Sequence, residues 1–145
     1  MKREKILENL KSQVKNGSHI IGVATSSGVT AKYSQNGGAD FLLILNSGRF
    51  RQMGRSSLAG FLPFCNSNDM VMKFVSREIL PLVKDIPIIF GLNATDPTKD
   101  LENYIDEIKN MGVDGINNYP TVGLIDGQFS QALERSEEHT SELQS

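Results

Sequence analysis

Three arginines lie close together in one short segment of the chain. Arg49 and Arg51 are separated by one residue, and Arg55 follows four positions after Arg51, while residues 41–68 contain no acidic side chain. Planar guanidinium groups bind phosphate and carboxylate through paired hydrogen bonds. The cluster therefore predicts a binding site for a small anionic substrate. The alternative for each arginine is an ion pair with a helix carboxylate or a solvated position.

Neutral polar residues follow the apolar runs that read as strands. Those at the start of a helix present free backbone N–H groups, which bind anions, although a serine or threonine there also acts as a simple helix cap. A further threonine follows the fourth apolar run. The residues predicted to orient the substrate are Ser26, Ser27, Gly28, Asn46, Ser47, Gly48 and Thr121.

Asp96 is the carboxylate that directly follows the third apolar run. It is predicted to be catalytic, as a proton acceptor or as a ligand of Mg²⁺, with an Asx turn before Pro97 as the competing local role. Asn117 and Asn118 end the fourth run, and alternation allows one of them to point inward, where it would be a buried polar group.

The few histidine and cysteine residues, together with the charge balance, argue against several kinds of site. His19 is the single histidine before residue 135, so a catalytic triad or a histidine-ligated metal is disfavoured. Cys65 is expected to be buried as a small hydrophobe. The 15 basic and 17 acidic residues give no electrostatic footprint for nucleic acid, and no membrane span or secretory signal is seen. A reducing cytoplasm is the predicted location.

These residues are positioned by four repeats of a β-rich run followed by a helical pattern. The runs are 19–25, 41–46, 87–94 and 115–120. The second, almost wholly apolar, predicts a strand covered on both faces. Helices are predicted at 30–36, from an N-cap at Asp69, at 100–112 and from 126 to 133, and the long segment after the second run is taken as a loop. This alternation predicts an α/β fold with a parallel sheet.

The length and the loop positions favour the N-terminal half of a (β/α)8 TIM barrel, with about four parallel βα units, over a complete open sheet. Residues 1–134 are assigned to this partial barrel. Residues 135–145 resemble the translation of a sequencing adapter and are predicted to be a non-native tail. Four strands alone leave unpaired edges, so the isolated chain is expected to self-associate or to be unstable, and to be inactive.

Four stretches resemble the phosphoenolpyruvate hydrolase family: 37–41 (GGADF), 46–64 (NSGRFRQMGRSSLAGFLPF), 93–97 (NATDP) and 118–129 (NYPTVGLIDGQF). The resemblance covers roughly residues 19–134. It implies a TIM barrel of the phosphoenolpyruvate mutase-like kind, similar to the C-terminal barrel of a plant antiviral resistance protein.

The same resemblance implies a hydrolase or lyase for a small phosphonate or phosphorylated carboxylic acid, with Mg²⁺ as cofactor. The parent protein is predicted to be a homo-oligomer. The alternative is a non-catalytic barrel that binds an anion or has a regulatory role. The small number of acidic residues at the predicted strand ends favours this alternative.

Overall fold

The structure is a computed structural model that describes residues 3–132 and 135. Helices and strands alternate along the chain. The helices are α1 Arg3–Lys15, α2 Gly28–Asn36, α3 Asn46–Gln52, α4 Ser67–Phe74 and α5 Leu101–Met111. The strands are β1 Gly22–Thr25, β2 Phe41–Ile44, β3 Ile88–Leu92 and β4 Gly115–Asn118. Short 3₁₀ turns occupy Ser57–Phe61 and Val122–Leu124, and a π turn, Val75–Ile79, extends α4.

The four strands form one parallel sheet in the order β1-β2-β3-β4. A doubly wound open sheet reverses its strand order at a switch point, whereas a (β/α)8 barrel keeps its strands in chain order. The consecutive order is therefore the arrangement of half of a barrel. The predicted fold class is confirmed.

The sheet has one covered face and one half-open face. Side chains on the first face, among them Leu42, Ile44 and Phe90, are buried beneath the helices. The centroid of the Phe90 ring lies 6.4 Å from that of Tyr104 in α5. On the second face, Phe41, Leu43 and Ile89 are only half-buried, and Gly22, in register with Phe41, is exposed. The prediction that the second run is covered on both faces is therefore wrong for the described residues.

Two helices form where the sequence predicts them. Asp100 caps α5 by accepting a hydrogen bond from Asn103 N, and Gly112 ends this helix with φ of 104°, a left-handed conformation that glycine adopts without strain. Helix α2 begins at Gly28, two residues before the predicted start. Helical residues at 127–132 agree with the predicted fourth helix, whose last residue lies outside the described ones.

The segment after β2 departs from the prediction of a loop. Residues Asn46–Gln52 form α3, although Asn, Ser and Gly are poor helix formers, because Phe50 and the first turn of the helix are buried. The next helix also begins earlier than predicted. Asn66 caps α4 by accepting a hydrogen bond of 3.0 Å from Asp69 N, so Asp69 is not the cap. Every helix within the described residues is too short or too polar to cross a bilayer.

Candidate functional site

A cleft of about 530 Å³ opens at the carboxyl ends of β3 and β4. Three segments meet there: the turn after α3, the loop after β3 and the residues after β4. The walls are formed by Gly60, Phe61, Leu62, Pro63, Cys65, Asn66, Ser67, Asn93, Asp96, Pro97, Thr98, Pro120 and Thr121. The strand ends are where both barrels and open sheets bind ligands, so this cleft is the candidate site.

Asp96 is nine-tenths buried in the cleft wall, and four hydrogen bonds occupy its carboxylate. Oδ1 accepts from Thr98 N at 2.9 Å and from Thr98 Oγ1 at 2.6 Å. Oδ2 accepts from the side-chain amides of Asn66 at 2.8 Å and Asn68 at 3.0 Å. The bond to Thr98 N is an Asx turn, the local role that competed with catalysis. Asp96 thereby joins the start of α4 to the loop after β3.

The protonation of Asp96 follows from these contacts. Burial alone would raise its pKa, but the hydrogen bonds from Thr98, Asn66 and Asn68 outweigh burial and hold the pKa below the usual value of an aspartate. The carboxylate is therefore charged at neutral pH. A group with a lowered pKa is a weak proton acceptor.

Asn68 is the wholly buried side chain that completes this network. Its Nδ2 donates to Asn93 O at 3.0 Å as well as to Asp96, and its Oδ1 accepts from Asn93 N at 2.9 Å. Tyr104 Oη donates to the Asn68 carbonyl at 3.1 Å. Neither Asn66 nor Asn68 was among the predicted site residues. The Asn-Ser-Asn run before an apolar helix was the available signal, since asparagine and serine favour helix caps.

Three side-chain hydroxyl and amide groups in the cleft donate to no acceptor among the described residues. They are Ser67 Oγ, Asn93 Nδ2 and the Thr121 hydroxyl, which itself accepts from Gly123 N at 3.4 Å. Ser67 is only 8% exposed, so its unpaired oxygen is costly unless a ligand or water bonds to it. Thr121, one of the predicted site residues, lines the cleft.

The turn after β1 lies outside the cleft, and its groups are used internally. Ser27 Oγ caps α2 by accepting from Thr30 N at 3.4 Å, and it also accepts from Gln52 Nε2 at 2.9 Å. Ser26 Oγ donates to the Leu45 carbonyl, and Thr25 Oγ1 contacts Thr30 Oγ1. These contacts are those of a helix cap, the alternative reading of this turn.

The start of α2 already faces a carboxylate of the protein itself. Glu78 Oε2 accepts from Gly28 N at 3.4 Å, while Glu78 Oε1 accepts from Arg49 Nη2 at 2.5 Å. Arg49 also lies over the Phe74 ring at 5.1 Å. The guanidinium of Arg49 is thus paired with a helix carboxylate, as the alternative for each arginine stated.

The three arginines do not share a partner. Arg51 donates to Ser57 Oγ at 3.0 Å, and the exposed Arg55 side chain makes no hydrogen bond or ion pair with the described residues. Successive helical residues turn by about 100°, so positions 49 and 51 point to nearly opposite sides of α3. None of the three lines the cleft. The structure therefore does not bring the three guanidinium groups together, contrary to the prediction from the sequence.

Asn46, Ser47 and Gly48 are buried behind the cleft wall. Asn46 Nδ2 donates to the carbonyl of Gly60 at 2.8 Å, whereas Asn46 Oδ1 and Ser47 Oγ have no partner among the described residues. Gly48 is required by packing, because a Cβ there would fall 2.1 Å from Ser26 Oγ. These residues hold α3 and the wall residue Gly60 in place.

Two further predictions are wrong in their placement of side chains. Asn117 and Asn118 are both exposed, since β4 is an edge strand of the described sheet. Cys65 is also exposed and lines the cleft, where partial desolvation raises the pKa of its thiol. At the same cleft, the Phe61 ring packs edge-on against the Tyr119 ring, with their centroids 5.5 Å apart. The peptide bond from Tyr119 to Pro120 is cis.

The described residues do not form a site suited to Mg²⁺. They contain no group of three metal-ligating side chains, and the Asp96 oxygens already accept four hydrogen bonds. Magnesium is usually held by one or two carboxylates together with several waters. An ion bound to Asp96 would have to displace the groups of Thr98, Asn66 and Asn68 that donate hydrogen bonds to it. Magnesium binding by Asp96 stays a prediction.

Parallel strands in chain order, helices on one face and a cleft at the strand ends define a partial (β/α)8 barrel with a candidate ligand site where barrels usually have one. The chain belongs to the phosphoenolpyruvate hydrolase-like family, whose sequence pattern matches residues 5–143. The family resemblance found in the sequence is confirmed.

Curated relatives carry different descriptions. The chain is 44% identical over 135 residues to the ToMV resistance protein Tm-1(GCR237) and to the ToMV susceptible protein tm-1(GCR26), both of Solanum lycopersicum. Each match covers 93% of this chain and 18% of the relative. The putative transcriptional regulatory protein y4pA of Sinorhizobium fredii is 38% identical over 133 residues, which are 91% of this chain and 22% of that protein. The chain thus spans about a fifth of these relatives.

Proposed function

We propose that this chain supplies part of a binding site for a small phosphorylated, phosphonate or carboxylate anion, and that the site binds its ligand without hydrolysing it. The support is the chemistry of the cleft. Ser67 Oγ, Asn93 Nδ2 and the Thr121 hydroxyl are donors that lack acceptors among the described residues. Donors of this kind are matched by a ligand rich in acceptor oxygens.

The non-catalytic character rests on the single observation that Asp96 is saturated. It is the one carboxylate among the residues that line the cleft, and all four of its hydrogen bonds come from neutral groups of the protein. Removal of a proton from a ligand would require some of those bonds to break. Asp96 therefore serves to brace the start of α4 against the loop after β3. The relatives' descriptions as resistance and regulatory proteins are compatible with a binding role.

A hydrolase or lyase is the second candidate, favoured by the description of the family and by the position of the cleft at the strand ends. In that reading, Asp96 is the proton acceptor for a phosphonate or phosphorylated carboxylic acid. Its low pKa argues against this role.

Binding is tested by titrating the 145-residue chain with phosphoenolpyruvate and, separately, with inorganic phosphate, using NMR chemical shifts and calorimetry. Loss of one hydrogen bond to a charged ligand costs about 1.5–3 kcal/mol, so Ser67→Ala is expected to weaken binding at least tenfold. Ser76→Ala is the matched control, because Ser76 lies in the same helical stretch and bonds only to backbone carbonyls of its own helix. Equal affinity of both variants would contradict the site.

The arginine surface is tested in the same titration with Arg51→Ala and Arg55→Ala. Unchanged affinity locates the anion in the cleft, and a large loss would instead support the arginine cluster that the sequence predicts. Release of inorganic phosphate from phosphoenolpyruvate is measured in parallel. Turnover that disappears in Asp96→Asn would overturn the binding-only proposal and establish the hydrolase.

A further inference from the structure

Two members of the arginine cluster are not used by the cleft or by an ion pair. Arg51 and Arg55 are exposed, and neither pairs with a carboxylate among the described residues, whereas Arg49 is paired with Glu78. Residues 41–68 contain no acidic side chain. Guanidinium groups that lack carboxylate partners are suited to a phosphate group, which accepts paired hydrogen bonds from each of them.

The contact of Arg51 with Ser57 identifies the oxygen that would carry such a phosphate. Arg51 Nη1 donates to Ser57 Oγ at 3.0 Å, and this is the one hydrogen bond of that hydroxyl among the described residues. A guanidinium group has five N–H donors, so Arg51 keeps others for phosphate oxygens. Arg55 precedes Ser57 by two residues on the same exposed stretch. A phosphate on Ser57 would therefore form beside two positive groups.

Ser57 is also placed where an enzyme can reach it. Residues 51–56 are all exposed, and Ser57 is half-buried at the first position of the turn Ser57–Phe61. A 3₁₀ turn of five residues has poorer hydrogen bonds than an α-helix, so it opens locally at low cost. The neighbouring Ser56 has a different role, because its Oγ accepts from Leu58 N at 3.2 Å and caps this turn.

We propose that Ser57 is phosphorylated by a protein kinase that recognises arginines before its target serine, and that Arg51 and Arg55 bind the resulting phosphate. Ser57 Oγ forms a bond to the γ-phosphorus of a nucleoside triphosphate, and the hydroxyl proton passes to a base of the kinase. The bond from that phosphorus to the bridging oxygen breaks, so a nucleoside diphosphate leaves. The new group carries a charge of about −1.5 to −2 at pH 7.

The phosphate would join α3 to one wall of the cleft. Asn46 Nδ2 of α3 already donates to Gly60 O at 2.8 Å, near the end of the turn Ser57–Phe61, and both Gly60 and Phe61 line the cleft. Phosphoserine at the first residue of the turn, bound by Arg51 of the same helix, adds a second connection at its start. Phosphorylation is therefore expected to slow the opening of this wall.

The modification is tested first. The 145-residue chain is incubated with ATP and a serine kinase that requires arginines before the serine, and the modified residue is located by mass spectrometry of its peptides. Phosphate is expected on Ser57, and Ser57→Ala is expected to lose most of the incorporation, whereas Ser56→Ala keeps it. Incorporation that persists in Ser57→Ala would overturn the proposal, as would a chain that takes up no phosphate.

The binding of the phosphate is tested on a chain into which phosphoserine is incorporated at position 57 during translation. The amides of Ala59 and Leu62 donate to Ser56 O and Ala59 O within the turn, and their hydrogen exchange reports its opening. Each charged hydrogen bond contributes about 1.5–3 kcal/mol, so exchange at both amides is expected to slow at least tenfold relative to the unmodified chain. Arg51→Ala should remove this effect, and Arg77→Ala, which changes an exposed arginine of the π turn, should keep it.

A second measurement needs no variant. The pKa for the second ionisation of phosphoserine is about 6 in an unstructured chain, and the two guanidinium groups are expected to lower it in the folded chain. Phosphorus NMR in buffer and in urea compares the two states and decides the outcome if Arg51→Ala unfolds. An equal pKa in both states would overturn the proposal. Tight binding of inorganic phosphate to the unmodified chain that is lost in Arg51→Ala would also overturn it, because the ligand of these arginines would then be a free anion.

Discussion

Asp40 and Asp114 make the same two hydrogen bonds at two places in the sheet. Asp40 N donates to Ile21 O, and Asp40 Oδ2 accepts from Ile21 N at 2.7 Å. In the same way, Asp114 N donates to Ile88 O, and Asp114 Oδ2 accepts from Ile88 N at 3.0 Å. Each aspartate stands just before a strand and binds the backbone at the start of the preceding one. The pair therefore sets the register of β1 with β2 and of β3 with β4.

Asp40→Ala is accordingly expected to destabilise the fold by about 1.5 kcal/mol, because a hydrogen bond to a charged group contributes about 1.5–3 kcal/mol and this one is partly solvated. Asp114→Ala is expected to cost a similar amount. Urea unfolding measures both. Asp85→Ala is the control, since the Asp85 side chain is exposed and makes no hydrogen bond with the described residues; an equal loss there would remove the register argument.

Asn68→Ala is expected to lower the free energy of unfolding by about 3 kcal/mol. It removes the amide that donates to Asp96 Oδ2 and Asn93 O and that accepts from Asn93 N, so Asp96 loses one of its four hydrogen bonds and Asn93 N loses its acceptor, each at a cost of about 1–3 kcal/mol. The same urea experiment on Asn103→Ala, an exposed amide on α5, should show a change within about 0.5 kcal/mol. Similar losses in both variants would mean that the network at Asp96 contributes little.

Stability should fall in acid because of Asp96. Its pKa is lower in the folded chain than in the unfolded one, so the unfolded state binds its proton first as the pH falls. The contribution is complete above the ordinary aspartate pKa, near 4, and is lost progressively below it as the pH passes through the folded value. The measurement is the urea midpoint between pH 7 and pH 3.

In Asp96→Asn this part of the acid dependence should disappear, while stability at pH 7 should be lower because an amide supplies fewer acceptors to Thr98, Asn66 and Asn68. An unchanged acid profile in the variant would assign the dependence to other carboxylates.

Gly48→Ala is expected to cost about 2–3 kcal/mol, because the added methyl would overlap Ser26 Oγ in a fully packed region. The loss should shrink in a Ser26→Gly background, where the overlapping atoms are absent. Thermal unfolding of the two single variants and the double variant gives the coupling. Gly123→Ala is the control, as its nearest neighbour outside the adjacent residues is 3.7 Å away. An additive cycle would contradict a direct contact.

Much of the fold could be predicted from local pattern. The apolar face of α5, its aspartate cap and its terminal glycine act within a few residues of each other, so the boundaries agree with the structure. The apolar runs likewise contain the four strands. Helix α3 could not be predicted in this way, because tertiary burial of Phe50, whose ring contacts Phe64, outweighs the low helix propensity of the helix's own residues.

The candidate site was predicted in part. Asp96 and Thr121 follow strands, and the rule that ligands bind at strand ends was enough to place both in the cleft. The arginines were placed wrongly because the partner of Arg49 is Glu78, which lies 29 residues later and has no local relation to it.

The sequence by itself determined the type of each βα unit, the family and the strand ends at which a ligand would bind, because these depend on short-range periodicity and on residue types. Only the tertiary structure decided that Asp96 is saturated by Asn66, Asn68 and Thr98, and that one face of the sheet remains open. Those outcomes depend on which distant segments pack together, and such distances are set by the whole fold, whereas a run of residues specifies only its own conformation.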